Sequence, residues 1–351
     1  MRPSVRDIYQ RTGYTYATRA EEIASRAGYE RIARLASNEN PFPLSSEANR
    51  MACEALKEAN RYPPELHTRL IGVLAETLRW PHVVLGNGMD GVIETVIRTL
   101  VNPGEGVVIA EPTFSFYRIA ATAQAGAVKG IPRKADFSVD ISGFIDCCQG
   151  AKLAFLCTPN NPTANFTPPE DVREILDATD VVLFLDNAYI EFADRDYREL
   201  MADYERLIIG RTMSKAYSMA GLRLGYALVP GWFEPFYHRA STPFSVNRVT
   251  AAAAIGALQD PDHVRQIQAH VQRWRTQFLE AIPYPTFPSQ ANFVLIDTSP
   301  LRGEEMMERL AERGILVRSC ESFPSLGDHY IRVNIGADWE NERFLNTIAA
   351  L

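Results

Sequence analysis

Thr212, Ser214, Lys215, Ser218 and Arg223 bring three hydroxyls, one lysine and one arginine into about a dozen residues, punctuated by Gly210, Gly221 and Gly225. The stretch follows Leu207 to Ile209, a short apolar run that reads as a buried strand. A lysine just past a strand end can sit in a dry site, where its amine pKa falls and it can form a Schiff base with an aldehyde. The hydroxyls and Arg223 could hold an anion beside it. A lone Ser-Lys pair is far more often part of a solvated loop, so the reading depends on the rest of the chain.

Four further constellations follow apolar runs. Gly86-Asn87-Gly88-Met89-Asp90-Gly91 lets the backbone approach a ligand, and the next helix offers free N–H groups to an anion. Asp90 would repel a phosphate if it pointed inward, so it reads as the helix N-cap. Glu111-Pro112-Thr113-Phe114 places an aromatic at a helix start, which alone would be a core residue. In Thr158-Pro159-Asn160-Asn161-Pro162-Thr163 an asparagine stands rigidly between prolines and can donate a hydrogen bond. Val181 to Leu185 ends in Asp186, followed by Asn187-Ala188-Tyr189. A carboxylate ending an apolar strand is costly unless a cation pairs with it. Arg332, inside the apolar strand Tyr330-Ile331-Arg332-Val333, is a cation that wants an anion, and Arg318, after Ile315 to Val317, is a second. The alternative for each is a structural salt bridge, to Glu321 or Asp328.

These residues need a scaffold of alternating strands and helices. Strands are expected at Val83–Leu85, Val107–Ala110, Lys152–Cys157, Val181–Leu185, Leu207–Ile209 and Gly225–Val229. Helices are expected over residues 46–59, 65–78, 90–100 and 114–123, and from Thr167, where Thr167-Pro168-Pro169-Glu170 has a capping-box pattern. Leu35 to Asn40 reads as a short strand or extended turn. Apolar strands alternating with helices argue for an α/β fold with a mostly parallel sheet covered on both faces. After about residue 245 a long helical stretch leads to a smaller α+β unit, with strands at Asn292–Asp297, Ile315–Arg318 and Tyr330–Ile335.

The chain has 351 residues, enough for one large core or two smaller ones. Its net charge of −7 and lack of a basic cluster argue against nucleic acid. No segment is apolar for long enough to cross a membrane, and the opening Met1-Arg2-Pro3-Ser4 lacks an apolar leader core. Five cysteines without a regular framework fit reduced thiols, and no His/Cys spacing reads as a metal site. The expectation is a cytoplasmic enzyme.

No single motif is specific, but their order is: glycine turn, aromatic, Asn, Asp, then Lys. In this the chain resembles the fold-type I pyridoxal-phosphate (PLP) enzymes. Among them it is most similar to the histidinol-phosphate aminotransferases, where Thr-x-Ser-Lys-Ala precedes Ala-Gly-Leu-Arg. The resemblance runs from Leu35-Ala36-Ser37-Asn38-Glu39-Asn40-Pro41 to Tyr330-Ile331-Arg332-Val333. It implies a large PLP-binding domain over residues 45–245 and a small C-terminal domain over 246–351, which the arm 1–44 joins.

For the site, the resemblance implies pyridoxal 5'-phosphate on Lys215, with Asp186 against the ring nitrogen. Tyr189 and Asn161 would meet the ring oxygen and Phe114 the ring face. Gly88, Met89, Asp90, Thr212, Ser214 and Arg223 would surround the phosphate, joined by Tyr62 from a neighbouring subunit, which makes the protein a homodimer. Arg318, Arg332, Asn161 and Tyr14 (or Tyr16, equally placed) would bind substrate. The implied reaction is transamination of L-histidinol phosphate with 2-oxoglutarate, in histidine biosynthesis. The chain departs from the family pattern at Gly91 and Asn187, where Glu is usual, and at Ala164, where Gly is usual. The last is of little consequence unless φ there is positive.

Two other reactions share the scaffold: threonine-phosphate decarboxylation, which the tail Cys320-Glu321-Ser322-Phe323-Pro324 also suits, and aromatic amino-acid transamination. A PLP-binding transcription regulator would need a DNA-binding domain for which the chain has no room.

Overall fold

The structure, a computed structural model, describes residues 5, 6, 8–11 and 18–351; Tyr14 and Tyr16 lie outside these. The N-terminal part holds helices α1 (Ile8–Arg11) and α2 (Thr18–Arg26), strand β1 (Ala33–Arg34), and helices α3 (Ser46–Leu56) and α4 (Pro64–Leu78). The alternating part follows: β2 (Val83–Asn87), α5 (Gly88–Leu100), β3 (Gly106–Glu111), α6 (Phe116–Ala123), β4 (Ala127–Pro132), α7 (Ile141–Cys148) and β5 (Leu153–Cys157). It continues with α8 (Pro169–Ala178), β6 (Val182–Asp186), β7 (Leu207–Thr212), β8 (Leu224–Leu228) and α9 (Glu234–Ala240). The remainder is α10 (Arg248–Leu258), α11 (Pro261–Ala281), β9 (Phe293–Asp297), α12 (Gly303–Ala311), β10 (Ile315–Leu316), β11 (Arg318–Ser319), β12 (Tyr330–Asn334) and α13 (Asp338–Ile348).

Seven strands form the main sheet in the order β2-β8-β7-β6-β5-β3-β4. All neighbours are parallel except β8, which runs antiparallel to both β2 and β7. The apolar runs are continuous because both faces are covered. In β6, Val182 and Phe184 join one core cluster while Leu183 and Leu185 join the other. Strand side chains alternate, so each face takes every second residue. Phe184 is wholly buried, and truncating it to Ala would cost about 3–5 kcal/mol.

The C-terminal unit is built on the antiparallel sheet β11-β12-β9, with Arg318 directly opposite Arg332. Its tie to the N-terminus is β1, which pairs in parallel with β10; Leu35 then receives a bond from Asn334 N and gives one to Leu316 O. The extended segment therefore begins two residues before Leu35. Helix α10 packs on α3 and α4 beside the main sheet. Gly256 permits the contact, since a Cβ there would lie 2.7 Å from the Glu47 carbonyl oxygen.

Three local expectations change. Helix α8 starts without a side-chain cap: Pro168 holds the cap position, and the Thr167 backbone N–H is drawn to Thr158 Oγ1 at 2.9 Å. Asp90 is not an N-cap, because α5 starts directly where β2 ends, with Asn87 at the cap position. Strand β4 and helix α7 arise where the sequence reading places neither. Among the described residues no helix is long and apolar enough to cross a membrane.

Candidate active site

The parallel strands deliver their C-terminal ends to one side of the sheet, where a cavity of about 380 Å³ opens. Its lining includes Met89, Asp90, Phe114, Asn161, Asp186, Tyr189, Thr212, Ser214, Lys215, Arg223, Arg318 and Arg332, twelve residues named from sequence. Gly88 stands at its edge. Its φ is +68°, and the Arg223 guanidinium lies where a Cβ would go. Tyr62 is not part of this cavity. It is 72% exposed and stacks on Phe244 with ring centroids 4.4 Å apart.

The antiparallel strand β8 explains why the glycine turn and the lysine loop meet. Its first residues lie beside the ends of β2 and β7, with Asn87 opposite Leu224 and Thr212 opposite Gly225. Thr212 Oγ1 donates to the Leu224 carbonyl at 2.9 Å and accepts from Ser214 N at 3.1 Å. The loop bearing Lys215 is thus closed at its base. Arg223, in a left-handed conformation at φ 58°, reaches Asp90 Oδ2 at 2.8 Å. Asp90 lies in the first turn of α5 and is a partner of Arg223. Burial raises its pKa, and Arg223 and Lys215 oppose that rise.

Lys215 Nζ stands in the cavity 3.3 Å from the Ser37 carbonyl. Burial, and next the Arg332 guanidinium, lower its pKa to about 8; the Glu39 and Asp90 carboxylates act in the other direction. Asp186, last in β6, is buried. Its Oδ2 accepts from the Tyr117 hydroxyl at 2.5 Å and its Oδ1 from Ala188 N at 3.0 Å. Burial raises the Asp186 pKa to about 6, against the pull of both donors. No cation is hydrogen-bonded to this carboxylate among the described residues.

Asn187 donates from Nδ2 to the Thr158 carbonyl at 2.9 Å, joining the end of β6 to the loop that carries Asn161. In that loop Ala164, buried, has φ +61°, and its N–H closes onto the Asn160 carbonyl at 2.7 Å. The missing glycine thus falls where glycine is favoured, at a cost of about 1–2 kcal/mol.

Arg332 is buried at 6% exposure. It donates to the Ala36 carbonyl at 2.7 Å and to Asn161 Oδ1, while its Nε has no partner among the described residues. Arg318 donates to Ser322 Oγ at 3.3 Å. Glu321 and Asp328 pair with Arg302, not with these two arginines.

The sequence gives Tyr117 no role, and marks the segment 36–39 only as an extended turn where the family resemblance begins. Tyr117 lies one turn beyond Phe114, a spacing that puts both rings together, 5.6 Å apart and edge to face. Asn38 donates to the Tyr189 hydroxyl at 2.9 Å, and its own N–H bonds Asn334 Oδ1 at 3.1 Å.

Comparison with known proteins agrees with this geometry. The family model for aminotransferase class I and II matches residues 11–351. The chain is 58% identical, over all of both chains, to a histidinol-phosphate aminotransferase of Methanoculleus marisnigri. It is 53% identical to one of Methanosphaerula palustris over 99% of each chain. Among solved structures it is similar to histidinol-phosphate aminotransferase from Sinorhizobium meliloti in complex with pyridoxal-5'-phosphate. That match has a TM-score of 0.88 at 25% identity and covers 99% of this chain and 96% of the other. The fold, the lysine loop and the full-length matches agree: the chain belongs to the class I and II aminotransferases, within the histidinol-phosphate aminotransferase family.

Proposed function

We propose that this aminotransferase exchanges the amino group of L-histidinol phosphate with 2-oxoglutarate, a step of histidine biosynthesis. The observation that carries the reading is one cavity holding a lysine with a lowered pKa, a buried carboxylate with no hydrogen-bonded cation among the described residues, and two arginines. The chain carries that set in a sequence 58% identical to a histidinol-phosphate aminotransferase.

Pyridoxal 5'-phosphate fits the residues present. Asp186 would hold the protonated ring nitrogen, the cation that its burial calls for. Asn161 Nδ2, with no bond among the described residues, and Tyr189 would hold the ring oxygen, and Phe114 the ring face. The start of α5 at Gly88, Met89 and Asp90, with Thr212, Ser214 and Arg223, would hold the phosphate. When bound, the cofactor supplies an aldehyde for Lys215 and a ring that withdraws electrons from the amine-bearing carbon.

The chain's own groups supply the rest. Lys215 Nζ, largely neutral above about pH 8, takes the proton from the amine-bearing carbon and later returns one. Arg332 and Arg318 hold the anionic end of the substrate, with Tyr14 or Tyr16 as the tyrosine that meets it. Tyr62 serves the cofactor phosphate of a neighbouring copy, so the working unit is a homodimer. The five free cysteines suit the reducing cytoplasm, where we place the enzyme.

The test is activity of the purified protein. Glutamate formation from histidinol phosphate and 2-oxoglutarate is expected, together with a pyridoxyl group on Lys215 after borohydride treatment. Release of CO2 from threonine phosphate without glutamate formation would replace the aminotransferase reading with the decarboxylase one. An adduct on another lysine would overturn the role of Lys215.

A further inference from the structure

We propose that Glu39 recognises the imidazole ring of the substrate, accepting its ring N–H and so setting selectivity among phosphorylated amines. The inference rests on histidinol phosphate being the substrate. That molecule carries three groups around one carbon: an amine, a phosphate arm and an imidazole arm. Lys215 accounts for the amine and the arginines for the phosphate. The imidazole arm still needs a partner, because an N–H left unpaired in a closed site loses the bonds it made in water.

Three carboxylates line the cavity: Asp90, Asp186 and Glu39. Asp90 is engaged by Arg223, and Asp186 by Tyr117 and the Ala188 N–H. Glu39 has no side-chain hydrogen bond or ion pair among the described residues, so its carboxylate is the free acceptor. Its position suits the second arm. Glu39 also lines an adjoining cavity of about 360 Å³, bounded by Arg34, Asn40, Asn334, Trp339 and Glu340, in whose lining neither Arg318 nor Arg332 takes part; the Glu340 carboxylate there is already engaged by the Arg34 and Ala337 backbone N–H groups. Room for a ring therefore exists on the side away from the phosphate-binding arginines, with Glu39 at the junction.

The backbone around Glu39 is held from several directions. Ala36 O is bound by Arg332, Ser37 O by Lys215 Nζ, Asn38 N by Asn334 Oδ1, and Asn40 Nδ2 reaches the Lys215 carbonyl at 3.1 Å. The backbone that carries Glu39 is therefore set before the substrate arrives, while its exposed side chain stays free to turn toward the ring.

A competing role for Glu39 is purely electrostatic, since its charge also acts on Lys215. Glu39→Ala in the cofactor-loaded enzyme separates the two. Histidinol phosphate is compared with 2-aminobutyl phosphate, which has the amine and phosphate but no ring. The ratio of kcat/KM for the two substrates is expected to fall about 10- to 100-fold, with the loss in KM. Calorimetric Kd for histidinol phosphate should rise by a similar factor, and Glu39→Gln, which keeps an uncharged acceptor, should recover part of it. An equal fall for both substrates would place Glu39 on Lys215 and overturn the proposal, as would an unchanged ratio. A wild-type enzyme that does not turn over histidinol phosphate would remove the functional reading itself, whereas an active wild type with unaltered selectivity in Glu39→Ala defeats the Glu39 assignment alone.

Discussion

The hydroxyl of Tyr117 donates to Oδ2 of Asp186 at 2.5 Å, and both residues are buried beneath the cavity. The bond favours the ionised carboxylate but does not offset burial, so the pKa stands near 6 and not at the ordinary 3.8. In cofactor-free protein the folded chain then holds a proton that the unfolded chain releases. The stabilisation is present below the unfolded pKa and is lost as pH rises through about 6. The shift corresponds to roughly 3 kcal/mol. Urea midpoints of the cofactor-free protein should therefore fall between pH 4 and 7. Asp186→Asn should remove this dependence, and Tyr117→Phe should extend it to higher pH. A wild-type profile identical to that of Asp186→Asn would mean that the carboxylate already has a counter-charge.

Arg332 acts on Lys215 as a like charge, second only to burial in lowering the pKa to about 8. Arg332→Gln should move the Lys215 titration upward, towards the ordinary 10.5. Mass spectrometry of reductive methylation at Lys215, across pH in cofactor-free protein, measures it. A downward or absent shift would contradict the coupling.

Arg332→Gln should lower kcat/KM for histidinol phosphate by about 2–5 kcal/mol of transition-state binding, as truncation of a buried charge pair does, and Arg318→Gln, at a more exposed position, by less. The absorbance of the resting cofactor should change little. If melting temperature falls strongly while kcat/KM stays near wild type, the arginines are structural. For Arg332, whose side chain meets the Ala36 carbonyl and Asn161 Oδ1 and no carboxylate among the described residues, the contacts argue against that outcome.

Tyr62 should matter only to a neighbouring copy, since it stacks on Phe244 outside the cavity of its own chain. Tyr62→Ala and Lys215→Ala chains, each inactive alone, should regain part of the activity when mixed, because one site of the hybrid has both native residues. A fully active monomer by light scattering would rule this out.

Much of this site was legible because its parts follow continuous apolar strands. Val182–Leu185 could only be a strand buried on both faces, so Asp186 had to emerge at its end. Strand β4 was not legible, because its exposure alternates and Lys129, Gly130 and Pro132 dilute the apolar signal. Gly143 similarly obscures α7. The Tyr117–Asp186 and Asp90–Arg223 pairs were hidden for another reason. Each joins residues far apart in the chain, 69 and 133 positions respectively, and local periodicity carries no information about such partners. Ala164 carries a cost only where φ is positive, and composition does not reveal the sign of φ.

The contrast between the two ends of the cavity bears on how the enzyme changes over generations. Asp186, Thr212 and the turn at Gly88 are fastened to a hydrogen-bonded sheet, where a slip of one residue would turn side chains to the opposite face. The segment 36–40 is fastened mostly by side chains reaching single backbone atoms, as Arg332 and Asn334 do. Those from Asn334 and Asn292 can be exchanged one at a time, whereas those from Arg332 and Lys215 belong to the site itself. Drift in substrate preference therefore has an open route through residues 36–40 while the chemistry is inherited intact with the sheet.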